Sequence, residues 1–186
     1  MNGLLRQIPN ILSAFRLIIA PFTAFLIVQR ADTAAFCVFG AAGLSDALDG
    51  FLAKRYSLTS RFGAWLDPAA DKLLMLASFV TLTVTGAVPL WLTALVIGRD
   101  MAIVLGIAAA RIMEAPLEIK PLIVGKASTV AQVAYIALVL LLLALGADLP
   151  WLLLAGSIAV AFFTLWSFLG YTLVWLHAVS TGHRAA

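Results

Sequence analysis

The chain has 186 residues, of which 63% are apolar and only 11% are charged, against roughly 25% charged residues in an average soluble domain. The 12 Lys and Arg residues and the 9 Asp and Glu residues give a formal net charge of +3, and Cys37 is the one cysteine. These values exclude a water-soluble enzyme, a disordered chain, a coiled coil, a disulfide scaffold and a nucleic-acid-binding protein. They predict an all-α integral membrane protein whose residues 1–186 form a single transmembrane domain.

Six transmembrane helices are predicted in chain order, because proline, glycine and charged residues interrupt the apolar sequence repeatedly. A helix needs about 20 residues to cross a bilayer, and the predicted spans are residues 9–29, 34–54, 62–85, 90–112, 122–145 and 151–177. Short polar or turn-forming segments separate the spans, and the longest connection is residues 113–121.

The basic residues are distributed unevenly over the two sides that six spans define. One side, which holds both termini, carries eight of them: Arg6, Lys54, Arg55, Arg61, Arg111, Lys120, Lys126 and Arg184. The other side carries only Arg30. Since basic residues accumulate in cytoplasmic loops, we expect both termini to be cytoplasmic in a multi-pass protein of the inner membrane.

Four aspartates lie at the ends of the second and third predicted helices, around their cytoplasmic link. Asp46 and Asp49 are three residues apart, and Asp67 and Asp71 are four apart, so each pair shares one helical face. A charged side chain inside a bilayer costs about 2.5–3.5 kcal/mol on insertion scales and usually marks a functional site. We therefore expect a cluster of four carboxylates just inside the cytoplasmic boundary.

Such a cluster needs cations, because four like charges in one pocket repel each other. Two divalent ions would balance the four negative charges, and all-oxygen ligands favour Mg²⁺ or Mn²⁺. Two metal ions of this kind stabilise the attacking and leaving oxygens of a phosphoryl transfer. The alternative interpretation is that the aspartates merely reach water at the ends of their helices.

The region of the aspartates resembles the signature of the CDP-alcohol phosphotransferase family. The matching stretch is Asp46-x2-Asp49-Gly50-x2-Ala53-Lys54-x8-Gly63-x3-Asp67-x3-Asp71. Lys54 departs from the family pattern, which has arginine there. Lysine keeps the charge but lacks the planar fork that binds phosphate in a bidentate manner.

The resemblance implies a homodimeric six-helix enzyme that transfers a substituted phosphate from a CDP-alcohol to an acceptor hydroxyl and releases CMP. The resemblance also implies the ligands of two divalent cations, which are Asp46, Asp49, Asp67 and Asp71. Asp71 would in addition be the general base that accepts the proton of the acceptor hydroxyl. The residues that contact the cytidine diphosphate would be Asn10, Asp46, Asp49, Gly50, Lys54 and Ser60.

Asn10 is included because the segment from Pro9 to Arg16 is similar to the first-helix pattern of the family. Asn10 would reach the nucleotide, and Arg16 would lie beneath the carboxylate cluster. The alternatives are that Asn10 caps the first helix and that Arg16 extends its charge to the membrane surface.

Two basic residues of the fourth and fifth predicted helices, Arg99 and Lys126, are candidates for binding the acceptor. They suit an anionic acceptor, and the alternative is that Arg99 only neutralises Asp100. Residues 121–132 resemble the cardiolipin synthase branch of the family, and residues 61–72 resemble the phosphatidylglycerophosphate synthase branch equally well. Both branches use CDP-diacylglycerol as the donor. We expect phosphatidylglycerol as the acceptor, with glycerol 3-phosphate as the alternative.

Two other classes of membrane protein also use carboxylates within helices. An ion-coupled transporter would use the aspartates as an ion relay, but such sites lie near the midplane and accompany internal repeats. Residues 1–93 and 94–186 show no such repeat. A membrane prenyltransferase would need a second aspartate motif, and the fifth and sixth predicted spans contain no acidic residue.

Overall fold

The structure, a computed structural model, describes residues 17–56, 63–112 and 122–182, with the backbone alone for residues 46–56, 63–69 and 177–182. Its described part is almost entirely helical, which confirms the predicted all-α class. The helices are α1 (Leu17–Val28), α2 (Asp32–Tyr56), α3 (Gly63–Val84), α4 (Leu90–Ile112), α5 (Ile123–Leu145) and α6 (Pro150–Gly182). The predicted fourth span coincides with α4, whereas α6 continues past the predicted end at residue 177.

Three of the helices end in the same hydrogen-bonded turn. A residue one or two positions past the end of each helix has a positive φ, which is 56° at Arg30, 80° at Gly86 and 62° at Gly146. At Gly86 the next amide, that of Ala87, reaches the carbonyl of Leu82 at 2.9 Å. The turns after α1 and α5 repeat this bond from Ala31 to Leu26 at 3.0 Å and from Ala147 to Leu142 at 2.9 Å. This Schellman pattern satisfies carbonyls that would otherwise lack partners at a helix end.

Arg30 is the unusual member of this group, because a non-glycine residue rarely adopts a positive φ. Its guanidinium compensates by donating a hydrogen bond from Nη2 to the carbonyl of Thr85 at 2.9 Å. The turn after α1 is thereby tied to the turn after α3, as expected for two loops on one side of a membrane.

The chain divides into two compact units. The first consists of Met1–Val88 and Ile136–Leu149, and the second of Pro89–Tyr135 and Pro150–Ala186. In the described part of the first unit one face of α3 is buried, and its members recur at helical spacing: Ala70, Leu74, Met75, Ser78, Phe79 and Leu82. Because these residues recur at helical spacing, they form one face of α3, and this face packs into the core of the first unit.

The interior of the second unit is unusually polar. Its buried polar residues are Thr93, Arg99, Ser128, Gln132, Ser157, Thr164 and Ser167. Its outer surface is apolar, since α6 exposes a stripe made of Leu154, Ile158, Phe162, Leu165, Leu169 and Leu173. Polar groups inside and leucines outside are the arrangement that lipid requires, because lipid offers no hydrogen-bond partners.

Three described helices are long and apolar enough to cross a membrane, namely Leu90–Ile112, Ile123–Leu145 and the Pro150–Leu176 part of α6. Two shorter apolar helical segments, Leu17–Val28 and Asp32–Ser45, precede them in the described residues. The helices and their surfaces therefore support membrane association, and of the six predicted spans three meet this criterion.

Candidate functional site

The four predicted carboxylates all lie on helical backbone. Asp46 and Asp49 belong to α2, and Asp67 and Asp71 belong to α3. Each pair therefore shares one helical face, as the sequence spacing predicts. The side chains of Asp46, Asp49 and Asp67 lie outside the described residues, so their convergence stays a prediction.

Asp71 is the one predicted metal ligand whose side chain is described. It is half-buried and stands one turn before the buried Met75, so it continues the buried face of α3 toward the start of that helix. Among the described side chains no three His, Cys, Asp or Glu residues form a group able to hold a metal ion. The side chains of the other three predicted ligands, Asp46, Asp49 and Asp67, are not among those described.

The predicted nucleotide contacts lie mostly outside the described side chains. Gly50 and Lys54 are on the helical backbone of α2. Asn10 and Ser60, together with Arg16, lie outside the described residues. Their predicted roles stay predictions.

Arg99 of α4 forms the best-defined polar centre of the second unit. Its side chain is 8% exposed, and Nη1 donates to Asp100 Oδ1 at 2.8 Å. Its Nη2 donates to Ser167 Oγ of α6, and its guanidinium carbon lies 5.5 Å from the ring centre of Tyr171. The Nε atom is buried and has no partner among the described residues. Among the described residues Asp100 is the one carboxylate that contacts this buried cation.

The first turn of α5 packs directly against this centre. A Cβ atom built on Gly125 would lie 3.0 Å from Tyr171 Oη and 3.5 Å from Arg99 Nη2. The backbone amide of Leu122 also donates to Tyr171 Oη at 3.4 Å. Only glycine at residue 125 leaves room for this contact, and the exposed Lys126 follows it directly. The structure thus places Arg99 beside the turn that carries Lys126.

These contacts also give the depth of Arg99. Arg99 lies nine residues along α4 from Leu90, a rise of about 13 Å, which on its own suggests a position near mid-membrane. However, its neighbour Gly125 lies in the first turn of α5. From Gly125 to Leu145, α5 rises about 30 Å, the thickness of a hydrocarbon core. Arg99 therefore lies level with the start of α5.

A chain of hydroxyl and amide groups continues from this centre into the unit. Gln132 Nε2 donates to Ser128 Oγ at 3.2 Å, and Ser128 Oγ lies 3.4 Å from Thr164 Oγ1. One turn of α6 beyond Thr164 comes Ser167, and Tyr171 follows one turn later. We did not predict roles for Ser167, Tyr171 and Gly125 from the sequence. The detectable signal was the polar face Thr164, Ser167, Tyr171 on an otherwise apolar helix.

Comparison with known proteins gives the family. A sequence model of CDP-alcohol phosphatidyltransferase matches residues 6–179. A Homo sapiens protein named cardiolipin synthase (CMP-forming) is 33% identical over 146 residues, covering 70% of this chain and 48% of the human protein. A Shigella flexneri protein named CDP-diacylglycerol–glycerol-3-phosphate 3-phosphatidyltransferase is 35% identical over 172 residues, covering 89% of this chain and 92% of that protein.

Several relatives are considerably longer than the part they share with this chain. The matches span 25% of a Schizosaccharomyces pombe fusion protein that contains a cardiolipin synthase, and 30% of a probable cardiolipin synthase of Drosophila melanogaster. The family match itself covers the aspartate motif, the helices α1 to α5 and α6 as far as residue 179. The chain belongs to the CDP-alcohol phosphatidyltransferase family.

Proposed function

We propose that the protein transfers a phosphatidyl group from CDP-diacylglycerol to a hydroxyl of a glycerol-type anionic acceptor, with release of CMP. The observation that carries this proposal is the four-aspartate motif on the helical backbone of α2 and α3, within the matched family region. The preferred acceptor is phosphatidylglycerol, which would make the protein a cardiolipin synthase, the name of the human relative and the probable name of the Drosophila melanogaster relative. Glycerol 3-phosphate is the second candidate. The name of the Shigella flexneri relative includes this compound, and the match covers most of both chains.

The reaction forms one phosphoester bond and breaks one phosphoanhydride bond. The acceptor hydroxyl oxygen attacks the phosphorus that carries the diacylglycerol, and the bond from that phosphorus to the bridging oxygen of CMP breaks. Asp71 accepts the hydroxyl proton as general base, a role that suits a half-buried carboxylate. The proposed contacts to the cytidine diphosphate are Asn10, Asp46, Asp49, Gly50, Lys54 and Ser60.

The aspartates form a donor set that suits two divalent cations, Mg²⁺ or Mn²⁺. All four ligands are carboxylates on helical backbone, paired on one face of each helix, and hard divalent cations prefer such oxygen ligands. Asp46, Asp49, Asp67 and Asp71 would hold the ions. When bound, the ions supply positive charge that neutralises the diphosphate of the donor.

Arg99 and Lys126 are the proposed contacts to the acceptor phosphate. Arg99 is held in place by Asp100 and Ser167, and its Nε has no partner in the part of the chain that the structure describes. Lys126 is exposed one residue after Gly125, which lies against Arg99. Two basic side chains on neighbouring turns suit a phosphate group.

The proposed topology has six membrane spans, with both termini and the aspartates on the cytoplasmic side of the inner membrane. The hydrogen bond from Arg30 to Thr85 supports it, because it joins the loop after the first predicted span to the end of the third, both of which are assigned to the opposite side. A homodimer is proposed from the family resemblance.

The test is an assay of the purified protein with CDP-diacylglycerol and Mn²⁺. Phosphatidylglycerol, glycerol 3-phosphate, serine and inositol phosphate are supplied in turn as acceptors, and CMP release is measured. We expect release with a glycerol-type acceptor and its loss when EDTA removes the divalent cations. Absence of CMP release with every acceptor would refute the proposal. Ion flux through the protein in sealed vesicles would instead favour the transporter.

A further inference from the structure

Ser167 of α6 makes a different kind of contact from the neighbouring hydroxyl residues of its helix. Its hydroxyl accepts a hydrogen bond from Nη2 of Arg99 on α4, and the residue is fully buried. The hydroxyls of Ser157 and Thr172, by contrast, donate to carbonyls of α6 itself, at 2.8 Å and 2.9 Å. A serine within a helix can satisfy its hydroxyl with such a carbonyl. The hydroxyl of Ser167 is instead used for a contact between two helices.

The contact with Ser167 helps to fix the plane of the guanidinium group. Nη1 of Arg99 donates to Asp100 at 2.8 Å, and Nη2 donates to Ser167. Because the guanidinium group is planar and rigid, contacts at two different nitrogens determine its orientation. The orientation of Arg99 therefore depends on Ser167 as well as on Asp100.

The described part of α6 offers Arg99 only uncharged groups. One is the hydroxyl of Ser167, and the other, one turn later, is the ring of Tyr171, whose centre lies 5.5 Å from the guanidinium carbon. The carboxylate that contacts Arg99 belongs to Asp100 of α4, and its side chain is 26% exposed. A partly exposed ion pair contributes only modest stabilisation. The groups from α6 thus orient the cation without adding a negative charge beside it.

The remaining described interior of the second unit adds no negative charge either. Besides Arg99, its buried polar residues carry hydroxyl or amide groups: Thr93, Ser128, Gln132, Ser157, Thr164 and Ser167. Among the described residues of this unit, no Asp or Glu is buried. Uncharged partners hold a cation through their dipoles and do not cancel its charge.

We propose that Ser167 is a positioning residue of the acceptor site, which fixes the guanidinium of Arg99 through Nη2 and leaves its positive charge to the anionic acceptor. A carboxylate at residue 167 would hold the same nitrogen but would also neutralise the cation. An apolar side chain there would leave Nη2 without this partner and the guanidinium less constrained. This inference rests on the proposed function, in which Arg99 contacts the phosphate of the acceptor.

The first test compares two substitutions of the same shape. Ser167→Thr keeps a hydroxyl at this position, whereas Ser167→Val does not. The matched control is Ser157→Ala, which removes a buried hydroxyl that is bonded to its own helix. KM is measured for CDP-diacylglycerol and for the acceptor that supports CMP release. We expect the acceptor KM of Ser167→Val to be at least about fivefold above that of Ser167→Thr, with the donor KM unchanged in both. Ser157→Ala should change neither KM.

The second test separates the orientation of Arg99 from its charge. Ser167→Asp gives Nη2 a carboxylate partner, so it keeps the guanidinium in place and neutralises it. We expect the acceptor KM of this variant to rise at least about fivefold as well, with an unchanged donor KM. An acceptor KM equal to that of the original chain would refute the requirement for an uncharged group at residue 167.

Chemical modification of Arg99 makes the inference independent of turnover. Phenylglyoxal reacts with accessible guanidinium groups, and peptide mass spectrometry measures its rate at Arg99 alone. The side chain of Arg99 is 8% exposed, so we expect slow modification in the original chain, in Ser157→Ala and in Ser167→Thr. Ser167→Val should react at least about threefold faster, because local opening becomes easier, and Ser167→Asp should stay slow. Equal rates in Ser167→Val and Ser167→Thr would refute the positioning role.

Further outcomes would also overturn the inference. Equal acceptor KM values in Ser167→Val and Ser167→Thr would make the hydroxyl dispensable. A parallel rise in the donor KM, or an equal rise of the acceptor KM in Ser157→Ala, would make the role of Ser167 purely structural. If Ser167→Val does not fold, Ser167→Ala replaces it in both comparisons. Absence of CMP release with every acceptor would refute the proposed function, and the modification rates of Arg99 would still decide whether Ser167 positions it.

Discussion

The contact between α5 and the Arg99 centre predicts a large effect from one methyl group. In Gly125→Ala the new Cβ would lie 3.0 Å from Tyr171 Oη and 3.2 Å from Tyr171 Cε2, closer than ordinary van der Waals contact. The ring must therefore move, although the amide of Leu122 and the guanidinium of Arg99 hold it in place.

The magnitude follows from what the ring loses. Overpacking of this kind costs about 1–3 kcal/mol, and a desolvated cation–π contact such as that of Arg99 with Tyr171 contributes about 0.5–2 kcal/mol. Alanine regains at most about 1 kcal/mol of helix propensity. We expect a net loss of about 1–2 kcal/mol in the free energy of unfolding. The acceptor KM should rise as well, because the displaced ring no longer holds the guanidinium of Arg99 in place.

The assay measures thermal unfolding in detergent together with KM for both substrates. The matched control is Gly170→Ala, whose Cβ would meet Leu122 Cδ1 at 3.4 Å, an ordinary contact on the same side of α6. Gly125→Ala should lower the unfolding temperature and raise the acceptor KM while the donor KM stays the same, and Gly170→Ala should change neither. If Gly125→Ala unfolds at the same or a higher temperature and binds the acceptor normally, the assigned role of the Tyr171 contact is wrong.

Variants at three further places test the other proposed roles. Asp71→Asn should lower CMP release at least about a hundredfold with donor binding retained, because the amide cannot accept a proton; turnover above about a hundredth of the original would exclude a general base. Lys54→Ala should raise the donor KM more than it lowers kcat, whereas Lys54→Arg should preserve donor affinity. Unchanged kinetics in Lys54→Ala would refute the proposed contact between Lys54 and the nucleotide. Arg99→Ala combined with Lys126→Ala should weaken acceptor affinity at least tenfold, since each charge-assisted contact contributes about 1.5–3 kcal/mol. In the control variant, which combines Arg99→Ala with Asp100→Asn, the folding stability should recover while the acceptor affinity stays low. Recovery of both would show that the role of Arg99 is structural.

Much of the helical architecture could be predicted from the sequence. Runs of apolar residues and the interruptions between them are local features, so the ends of α4 and α5 agree with prediction to within one residue. Gly86 and Gly146 mark two of the turns because glycine adopts a positive φ without steric cost. At Arg30 the same backbone conformation depends on a distant carbonyl, that of Thr85, which no local pattern indicates.

The aspartate motif could likewise be predicted from the sequence, because residues three or four positions apart in a helix share one face. The family follows from that motif and from the comparisons with relatives. Which acceptor the protein uses does not follow, since the two branches share these residues.

The surroundings of Arg99 were decided by the tertiary structure alone. Its sequence position, nine residues into an apolar helix, suggested a charge deep in the bilayer. Packing against Ser167, Tyr171 and Gly125 instead places it level with the first turn of α5. The physical reason is that sequence gives the rise along each helix but not the offset between neighbouring helices. That offset is set where side chains fit, and here it depends on a glycine whose missing methyl group lets a tyrosine reach an arginine.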